Sequence, residues 1–359
     1  MTPLHTNHQV TIHCLTYNHA PYIEDAMNGF CLQETSFPFL AIICDDASTD
    51  GEQDVIRKYL QEHFNTSSDK DYQSWETEEA KIVFAQHKTN SNCSFLVIFL
   101  KTNYYSQKKD KSHLWKEWEE SAKYIALCEG DDYWIDPQKL QKQVDFLENN
   151  PEYSMCWHDA YRIDAITHQT KGDFSRYEKN TSCNLEDLII GGGDYCPTAS
   201  FIYRRSLREA APKELFNQYV GDYPLQVYMA LTGNVFYINQ KMSIYRVNTP
   251  GSWVSRSYDY SCIENRRDIW PKEIKMYHDL DNFSQHRYTH YFKQQEYKYM
   301  FREMIKLHEF NSARKYWYKM DYDKRPWDWI LIINMHGRYT IKTLINCFLM
   351  KIRYYLVIK

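Results

Sequence analysis

The sequence lacks several features that would assign it to well-marked classes of protein. Its formal net charge is only -4, without the strong basic excess that nucleic-acid binders usually carry. The ten cysteines include no CxxC pair and no zinc-ligand spacing, so they indicate buried thiols in a reducing compartment. No run of about 20 uninterrupted apolar residues appears, and residues 1–10 show no apolar core of a secretory signal. We therefore expect a cytoplasmic protein with no nucleic-acid partner.

The overall composition is that of a folded globular protein. Hydrophobic residues make up 43% of the chain and charged residues 25%, which excludes wholesale disorder. A length of 359 residues accommodates one large α/β domain and a smaller appendage. Tyrosine is abundant, with 31 copies. This abundance indicates either core packing under a biased codon usage or aromatic platforms for sugar rings or bases.

Short apolar runs alternate with amphipathic segments along the first part of the chain. The predicted strands are Val10–Leu15, Phe39–Cys44, Lys81–Ala85 and Tyr124–Cys128. The predicted helices are residues 21–33, residues 52–63 and the stretch after Asp136-Pro137, where Leu140, Val144 and Leu147 form a stripe. We expect further helices within residues 93–120. This alternation predicts an α/β fold with a doubly wound, mostly parallel central sheet.

The character of the sequence changes at about residue 256. Residues 285–320 are rich in Tyr, Lys, Glu and Met and predict paired helices. Residues 340–359 place apolar side chains at helical spacing on one face and basic side chains on the other. This final helix either docks on the rest of the protein or on a second subunit of a homo-oligomer, or lies peripherally on the inner face of the cell membrane.

Polar side chains follow three of the predicted strands where each strand ends. They are Thr16-Tyr17-Asn18, Asp45-Asp46 and Glu129-Gly130-Asp131-Asp132. Ligands of open parallel sheets bind beyond the carboxyl ends of the strands. If these strands are neighbours, their carboxylates repel one another unless a cation is bound or protons are taken up. Hard oxygen ligands suit Mg²⁺ or Mn²⁺, so the residues predict a divalent metal that holds a phosphate-bearing ligand.

Simpler interpretations of the same residues remain open. A pair of aspartates after a strand can merely cap the next helix, as Asp50 or Ser48 alone could do. Tyr17 is either a packing side chain or a surface on which a base stacks. His158 either lines the site or is a packed histidine.

Three stretches of the sequence together form a family pattern: TYNHAPYI, CDDASTDG and YIALCEGDDYWIDPQKLQKQVDFLENNPEY. The chain resembles the GT-A-fold family 2 glycosyltransferases, most of all bacterial members that act on surface polysaccharides. CPTASFIYRRSL and GDYPLQVYMALTGNVFYINQKMSIYRVN resemble the acceptor half of the same group. The resemblance implies a GT-A catalytic domain at 1–255, with a nucleotide-binding half at about 1–135 and an acceptor half at about 136–255. A C-terminal helical region at 256–359 would follow.

The resemblance implies roles for individual residues in binding the donor. The segment Thr16-Tyr17-Asn18 would cradle the base and ribose, which Asp45 and Asp46 would also contact. The acidic element Glu129-Gly130-Asp131-Asp132 would bind Mn²⁺ or Mg²⁺. Asp131 would be the chief metal ligand and would contact the donor, with Glu129 or Asp132 assisting.

The same resemblance implies the reaction. It is the inverting transfer of a sugar from a nucleotide-diphosphate sugar, a UDP-sugar first, to a hydroxyl of a glycan or a lipid-linked acceptor. Asp222 falls where the family places its catalytic base. Arg246 would pair with a donor phosphate or serve structurally. The pathway implied is polysaccharide biosynthesis for the bacterial cell envelope.

The chain departs from the family pattern at three positions. Glu129 replaces the commoner Asp, Asn248 stands where members often carry His after YRV, and KTNSNCSF lacks the glycine of an Asn-x-Gly turn. Two other classes therefore stay open. One is a non-catalytic glycan-binding or scaffold protein derived from a transferase. The other is a sugar-phosphate nucleotidyltransferase, although its Gly-rich basic loop is absent from VTIHCLTYNHAPY.

Overall fold

The computed structural model describes residues 7–216, 220–250, 252, 267–307 and 309–321. These residues group into two compact units. The first comprises the described residues up to Asn184, Gly193–Ala211 and those from Tyr228 to residue 252. The second comprises Leu185–Gly192, the described part of Pro212–Val227 and the described residues from 267 onwards. The predicted divisions at about 135 and 255 stay predictions.

The first unit is built on one sheet, which has twelve strands within the described residues. The strands are β1 (Val10–Thr16), β2 (Phe39–Asp45), β3 (Tyr72–Glu76), β4 (Ala80–Gln86), β5 (Cys93–Leu100), β6 (Tyr124–Leu127), β7 (Tyr133–Trp134), β8 (Tyr153–Asp164), β9 (Thr170–Asp173), β10 (Thr181–Ser182), β11 (Ile202–Arg204) and β12 (Asn234–Val247). Their order is β10-β12-β8-β11-β6-β1-β2-β5-β4-β3, with β7 paired to β12 and β9 to β8.

The centre of this sheet is parallel. β6, β1, β2 and β5 are neighbours and run in the same direction. β11 joins β6 antiparallel on one side, and β4 joins β5 antiparallel on the other. The predicted α/β, GT-A-like class is confirmed. The expectation that the strand at Lys81–Ala85 continues the parallel run is wrong, because β4 lies antiparallel to β5.

The apolar run of β2 is buried on both faces of the sheet, as its composition predicts. Phe39, Ala41 and Ile43 pack into one core, while Leu40 and its alternating neighbours pack into another. Helix residues cover the first core, among them Ile56. Both faces of the strand are thus withdrawn from water, and the polar side chains gather at its carboxyl end, the end at which sheets of this kind bind ligands.

Residues 93–120 differ in part from the expected helices. Cys93–Leu100 forms β5, all of it buried between β2 and β4. A strand buried on both faces has no alternating pattern, so its apolar run is as compatible with a helix as with a strand. Helical turns follow only from Tyr104 onwards.

The helices of the first unit are α1 (Ile23–Cys31), α2 (Glu52–His63), α3 (Tyr104–Gln107), α4 (Lys116–Glu119), α5 (Lys139–Asn149) and α7 (Arg205–Glu209). Three of them, α1, α2 and α5, agree with the helices predicted at 21–33, at 52–63 and after Asp136-Pro137. The helix α6 (Leu185–Gly191) belongs to the second unit, and α8 (Asp222–Thr232) begins there. In α5 the stripe of Leu140, Val144 and Leu147 is buried, as predicted.

The second unit contains α9 (Trp270–Phe283), α10 (Thr289–Lys306) and α11 (Phe310–Lys319). The last two are the paired helices predicted for 285–320, and they share a core of Met300, Phe301, Met304, Ala313, Trp317 and Met320. In the part of the chain that the structure describes, no helix has the length and apolar character needed to cross a membrane. The predicted amphipathic helix at 340–359 lies outside the described residues.

Candidate functional site

The polar segments after β1, β2 and β6 lie at one edge of the sheet. The order β6-β1-β2 makes these parallel strands neighbours, and Thr16 pairs with Asp45 at their carboxyl ends. The amide of Asp46 donates to Thr16 O at 3.0 Å. The structure therefore brings together the three segments that the sequence singled out.

Gly130 is pressed against the end of β1. Its amide donates to Leu15 O at 3.2 Å. A Cβ atom at this position would lie 2.1 Å from Thr16 Oγ1 and 2.6 Å from Thr16 Cβ, so any other residue would force Thr16 or the loop to move. Glycine is thus required for the acidic loop of residues 129–132 to lie on β1.

Asp131 faces His19 across this edge. The distance between Asp131 Oδ2 and His19 Nε2 is 3.9 Å, and both side chains are partly accessible, at 12% and 13%. The other ring nitrogen of His19 lies 3.2 Å from Thr16 Oγ1. Glu129 is exposed beside them. Of the two aspartates in the acidic loop, Asp131 is the one whose carboxylate lies near an imidazole and remains partly accessible to solvent.

Asp132 turns into the protein instead. Its Oδ1 accepts a hydrogen bond from the backbone amide of Arg246 at 2.8 Å. Only 1% of the residue is exposed. Burial, together with the charge of Asp131, raises the pKa of Asp132 well above its usual range. The carboxyl group anchors the acidic loop to β12, and its predicted part in metal binding stays a prediction.

Arg246 reinforces that anchor. Its Nη1 donates to Asp131 O at 2.8 Å, and its other terminal nitrogen pairs with Asp25. The guanidinium lies 4.5 Å from the ring centroid of Tyr133 and 5.0 Å from that of Tyr22. These contacts give Arg246 the structural role that the sequence left open, and its pairing with a donor phosphate stays a prediction.

Asp45 and Asp46 leave β2 in different directions. Asp45 is fully buried, accepts from the Ser48 amide at 3.2 Å through Oδ1, and has no partner for Oδ2 within the described residues. Burial raises the pKa of this carboxyl group. Asp46 accepts from the amides of Tyr104 and Tyr105 at 2.7 and 3.0 Å, so it binds the first two backbone amides of α3. The predicted contact of both with a base and ribose stays a prediction.

Glu52 is a residue that the sequence analysis missed. It is fully buried, and its carboxylate accepts from the Thr16 hydroxyl, from the His19 amide at 2.8 Å and from Ser48 Oγ at 2.8 Å. Burial raises its pKa. Glu52 therefore ties the segment after β1 to the segment after β2. An acidic residue is common in the first turn of a helix, so the sequence did not indicate that the Glu52 side chain points into the protein.

Asn18 and Tyr17 complete the segment after β1. Asn18 has a φ of 57°, donates its amide to Ser48 Oγ at 2.9 Å and accepts from the Thr49 amide at 2.8 Å. It therefore fixes the loop. Tyr17 is 37% exposed, so a face of its ring is available to a ligand. The contacts of Thr16, Tyr17 and Asn18 with a nucleotide stay predictions.

Asp222 belongs to the second unit, at the start of α8. Its Oδ1 accepts from the amide of Tyr223 at 2.7 Å. Glu273 on α9 is almost fully buried, and burial, helped by the charge of Asp222, raises the pKa of Glu273 to about 7. The role of Asp222 as a catalytic base stays a prediction.

Two further positions have structural explanations. His158 is fully buried, its Nδ1 lies 2.8 Å from Asp159 O, and burial lowers its pKa well below the usual range. It is the packed histidine of the two alternatives. Asn248, which stands where the family often has His, donates its side-chain amide to Asp164 Oδ2 at 2.7 Å.

The side chains at this edge fit a bound cation in one arrangement, in which a ligand supplies part of the coordination. Within the described residues, no group of three or more His, Cys, Asp or Glu side chains is arranged to hold a metal. Mg²⁺ commonly uses one or two carboxylates together with substrate phosphates, and Asp131 with Glu129 fits that arrangement.

Comparison with known proteins gives relatives without an established activity and a solved structure with the same fold. The chain is 28% identical over 261 residues to uncharacterised proteins of Mycobacterium tuberculosis and Mycobacterium bovis. The match covers 73% of this chain and 63% of those proteins, so the chain spans less than two thirds of their length. No family model matches the chain.

Among solved structures, S. aureus TarS 1–349 in complex with UDP-GlcNAc is similar over 90% of this chain and 79% of that chain. The TM-score is 0.50 and the sequence identity 14%. This likeness supports the fold class derived above.

Proposed function

We propose that this protein is a glycosyltransferase that moves a sugar from a nucleotide-diphosphate sugar to an acceptor hydroxyl, with the help of a divalent cation. The observation that carries the proposal is the position of Asp131. Its carboxylate, 3.9 Å from His19, stands at the carboxyl edge of the parallel strands, where open sheets of this kind bind ligands. The TarS structure with the same fold contains UDP-GlcNAc, so a UDP-sugar is the first donor to test.

The residues around Asp131 act as its support. Gly130 allows the acidic loop to lie on β1, and Asp132 and Arg246 fasten the loop to β12. Catalytic groups need such rigid support, because small displacements cost much of the rate. On this account Asp132 and Arg246 are positioning residues, while Asp131 is the side chain that meets the donor.

The donor itself would be held by the neighbouring segments. Tyr17 offers an exposed ring for stacking on the base. Asp45 Oδ2 is a buried acceptor without a partner in the described residues, which suits an N–H of a base or a hydroxyl of a ribose. Asp131 and Glu129 would hold a Mn²⁺ or Mg²⁺ ion. When bound, the ion would offset the negative charge that grows on the departing diphosphate.

The acceptor step would depend on Asp222. As a general base, its carboxylate would take the proton from the acceptor hydroxyl while that oxygen attacks the anomeric carbon. Direct attack inverts the configuration at that carbon. The family resemblance is what supports this assignment, as it supports a glycan or lipid-linked acceptor in cell-envelope polysaccharide synthesis and contact of residues 340–359 with the inner membrane face.

The test is release of nucleoside diphosphate from a panel of nucleotide sugars, with and without Mn²⁺. We expect metal-dependent release from at least one donor, lost in Asp131→Asn. Asp145→Asn serves as the matched control, because Asp145 is an exposed aspartate on α5. Folded protein that releases no diphosphate from any donor, with or without added glycan acceptors, would favour the non-catalytic scaffold.

A further inference from the structure

A pair of cysteines lies at the edge of the sheet opposite the acidic loop. Cys31 ends α1, and Cys93 begins β5, where it pairs with Phe39 at the start of β2. The two thiols contact each other. Asn90 holds both ends, since its side-chain amide donates to Cys31 O at 3.2 Å and its carbonyl accepts from the Cys93 amide at 3.0 Å.

His87 gives this pair a hydrogen-bond donor. Its Nδ1 accepts from the backbone amide of Asn90 at 2.9 Å. A backbone amide only donates, so the neutral ring carries its proton on Nε2. That N–H is then available to the Cys31 sulfur. The ring is oriented by edge contact with Phe64, at 5.2 Å between centroids.

The two sulfurs differ in their readiness to ionise. Burial opposes ionisation of Cys31, but contacts with Cys93, His87 and Tyr59 outweigh it and lower the pKa of Cys31 to about 6. Cys93 is fully buried, and burial raises its pKa well above the usual value. Cys31 is half-buried. At neutral pH its thiolate thus sits against the protonated thiol of Cys93.

We propose that Cys31 is a modification site that reacts with peroxides and then forms a disulfide with Cys93. The Cys31 thiolate attacks a peroxide oxygen, the O–O bond breaks, and hydroxide or alkoxide leaves. Cys93 sulfur then attacks the sulfenic sulfur of Cys31, and its proton leaves with the displaced hydroxyl group as water. Two thiols are oxidised to one disulfide while the peroxide is reduced, and a dithiol reductant reverses the change.

The other cysteines provide the comparison. Cys14 and Cys128 are fully buried, and burial raises the pKa of each thiol well above its usual value, so neither should be the thiol that peroxide oxidises first. Cys183 is half-buried like Cys31, and its sulfur accepts from Trp157 Nε1 at 3.2 Å. Cys183→Ser is therefore the matched control for an accessible thiol in a different setting.

The experiment treats the full chain with hydrogen peroxide and maps its peptides by mass spectrometry without reduction. We expect a peptide pair joined through Cys31 and Cys93, absent from Cys31→Ser and present in Cys183→Ser. Cys93→Ser should stop at a sulfenic acid on Cys31, which dimedone captures. A disulfide that joins other cysteines, or none at all, would overturn the proposal.

A second measurement needs no variant and so does not depend on any substituted chain folding. The rate at which iodoacetamide alkylates each cysteine of the wild-type protein is followed from pH 5 to pH 9. Cys31 should reach half of its maximal rate near pH 6 and should react at least about tenfold faster than Cys183 at pH 7. Equal rates for the two thiols at that pH would refute an activated Cys31.

Discussion

Gly130 lies so close to Thr16 that a single added methyl group would overlap the threonine hydroxyl, at 2.1 Å. This contact determines how closely the backbone of the acidic loop approaches the end of β1. Because Asp131 is the next residue, the contact also sets the position of the carboxylate that we place at the donor.

The first prediction concerns Gly130→Ala. The new Cβ has to push aside Thr16 Oγ1, which is itself held by Glu52. We expect a loss of about 1–3 kcal/mol in the free energy of unfolding, as overpacking of a tight site usually costs. Urea unfolding measures it. Gly221→Ala is the control, because nothing lies within 4 Å of a Cβ there. Equal stability of the two variants would contradict the close contact.

The second prediction distinguishes the two contacts of the Arg246 guanidinium, one with Asp131 O and one with the carboxylate of Asp25. Arg246→Ala removes the bond to Asp131 O and leaves the loop less firmly held. We expect metal-dependent donor binding to weaken at least about tenfold, or about 1.4 kcal/mol. Asp25→Asn is the control. Asp25 is 49% exposed, and exposed ion pairs contribute about 1 kcal/mol or less. Because Arg246→Ala also removes the ion pair with Asp25, an equal effect of the two variants would show that the ion pair, not the carbonyl contact, positions the loop.

The amount of this site that the sequence could predict depended on the kind of contact involved. Strand ends were predictable, because the apolar runs stop sharply at Thr16, Asp45 and Cys128 and polar residues follow. Which carboxylates turn inwards was not. Asp46 binds the first amides of α3 and Asp132 binds the amide of Arg246, and both partners are distant in sequence.

Glu52 and β5 show the same limit. An acidic residue is favoured in the first turn of a helix whether its side chain is exposed or buried. The sequence therefore did not indicate that Glu52 points inwards, and only its hydrogen bonds with Thr16 and His19 in the structure show it. β5 is an apolar run buried on both faces, and such runs lack the alternation that marks a half-exposed strand. Both depend on tertiary packing that local patterns do not encode.

The third prediction follows from the raised pKa of Glu273, about 7 against an ordinary 4.5. A raised pKa means that the folded state binds more protons than the unfolded state between these values. Stability is therefore greatest below about pH 4.5 as far as this group is concerned, and falls as the pH rises towards 7. The full change is on the order of 3 kcal/mol.

Glu273→Gln tests this dependence. The variant should lose less stability than the wild type between pH 5 and pH 8, measured by urea unfolding at both values. The amide keeps the size of the side chain and has no charge to bury. If wild type and variant lose the same stability over that interval, Glu273 is already ionised in the folded protein at pH 5.

The fourth prediction concerns Asp222→Asn. If Asp222 is the base, the variant should lose at least about 100-fold in sugar transfer, since an amide cannot take the acceptor proton. Donor binding should be nearly unchanged. Transfer to a glycan acceptor and donor binding are measured on the same preparation. Transfer at the wild-type rate would refute the assignment and leave the proposed donor site untouched.

The most direct measurement of the central claim is the thermal unfolding of the protein with a panel of nucleotide sugars, with and without Mn²⁺. A ligand that binds only the folded state raises its stability, by about 2.7 kcal/mol at a hundred times its Kd. The account predicts a shift for one donor that requires Mn²⁺ and is lost in Asp131→Asn but kept in Asp145→Asn. A shift that is the same in Asp131→Asn as in the wild type would contradict the claim that Asp131 meets the donor.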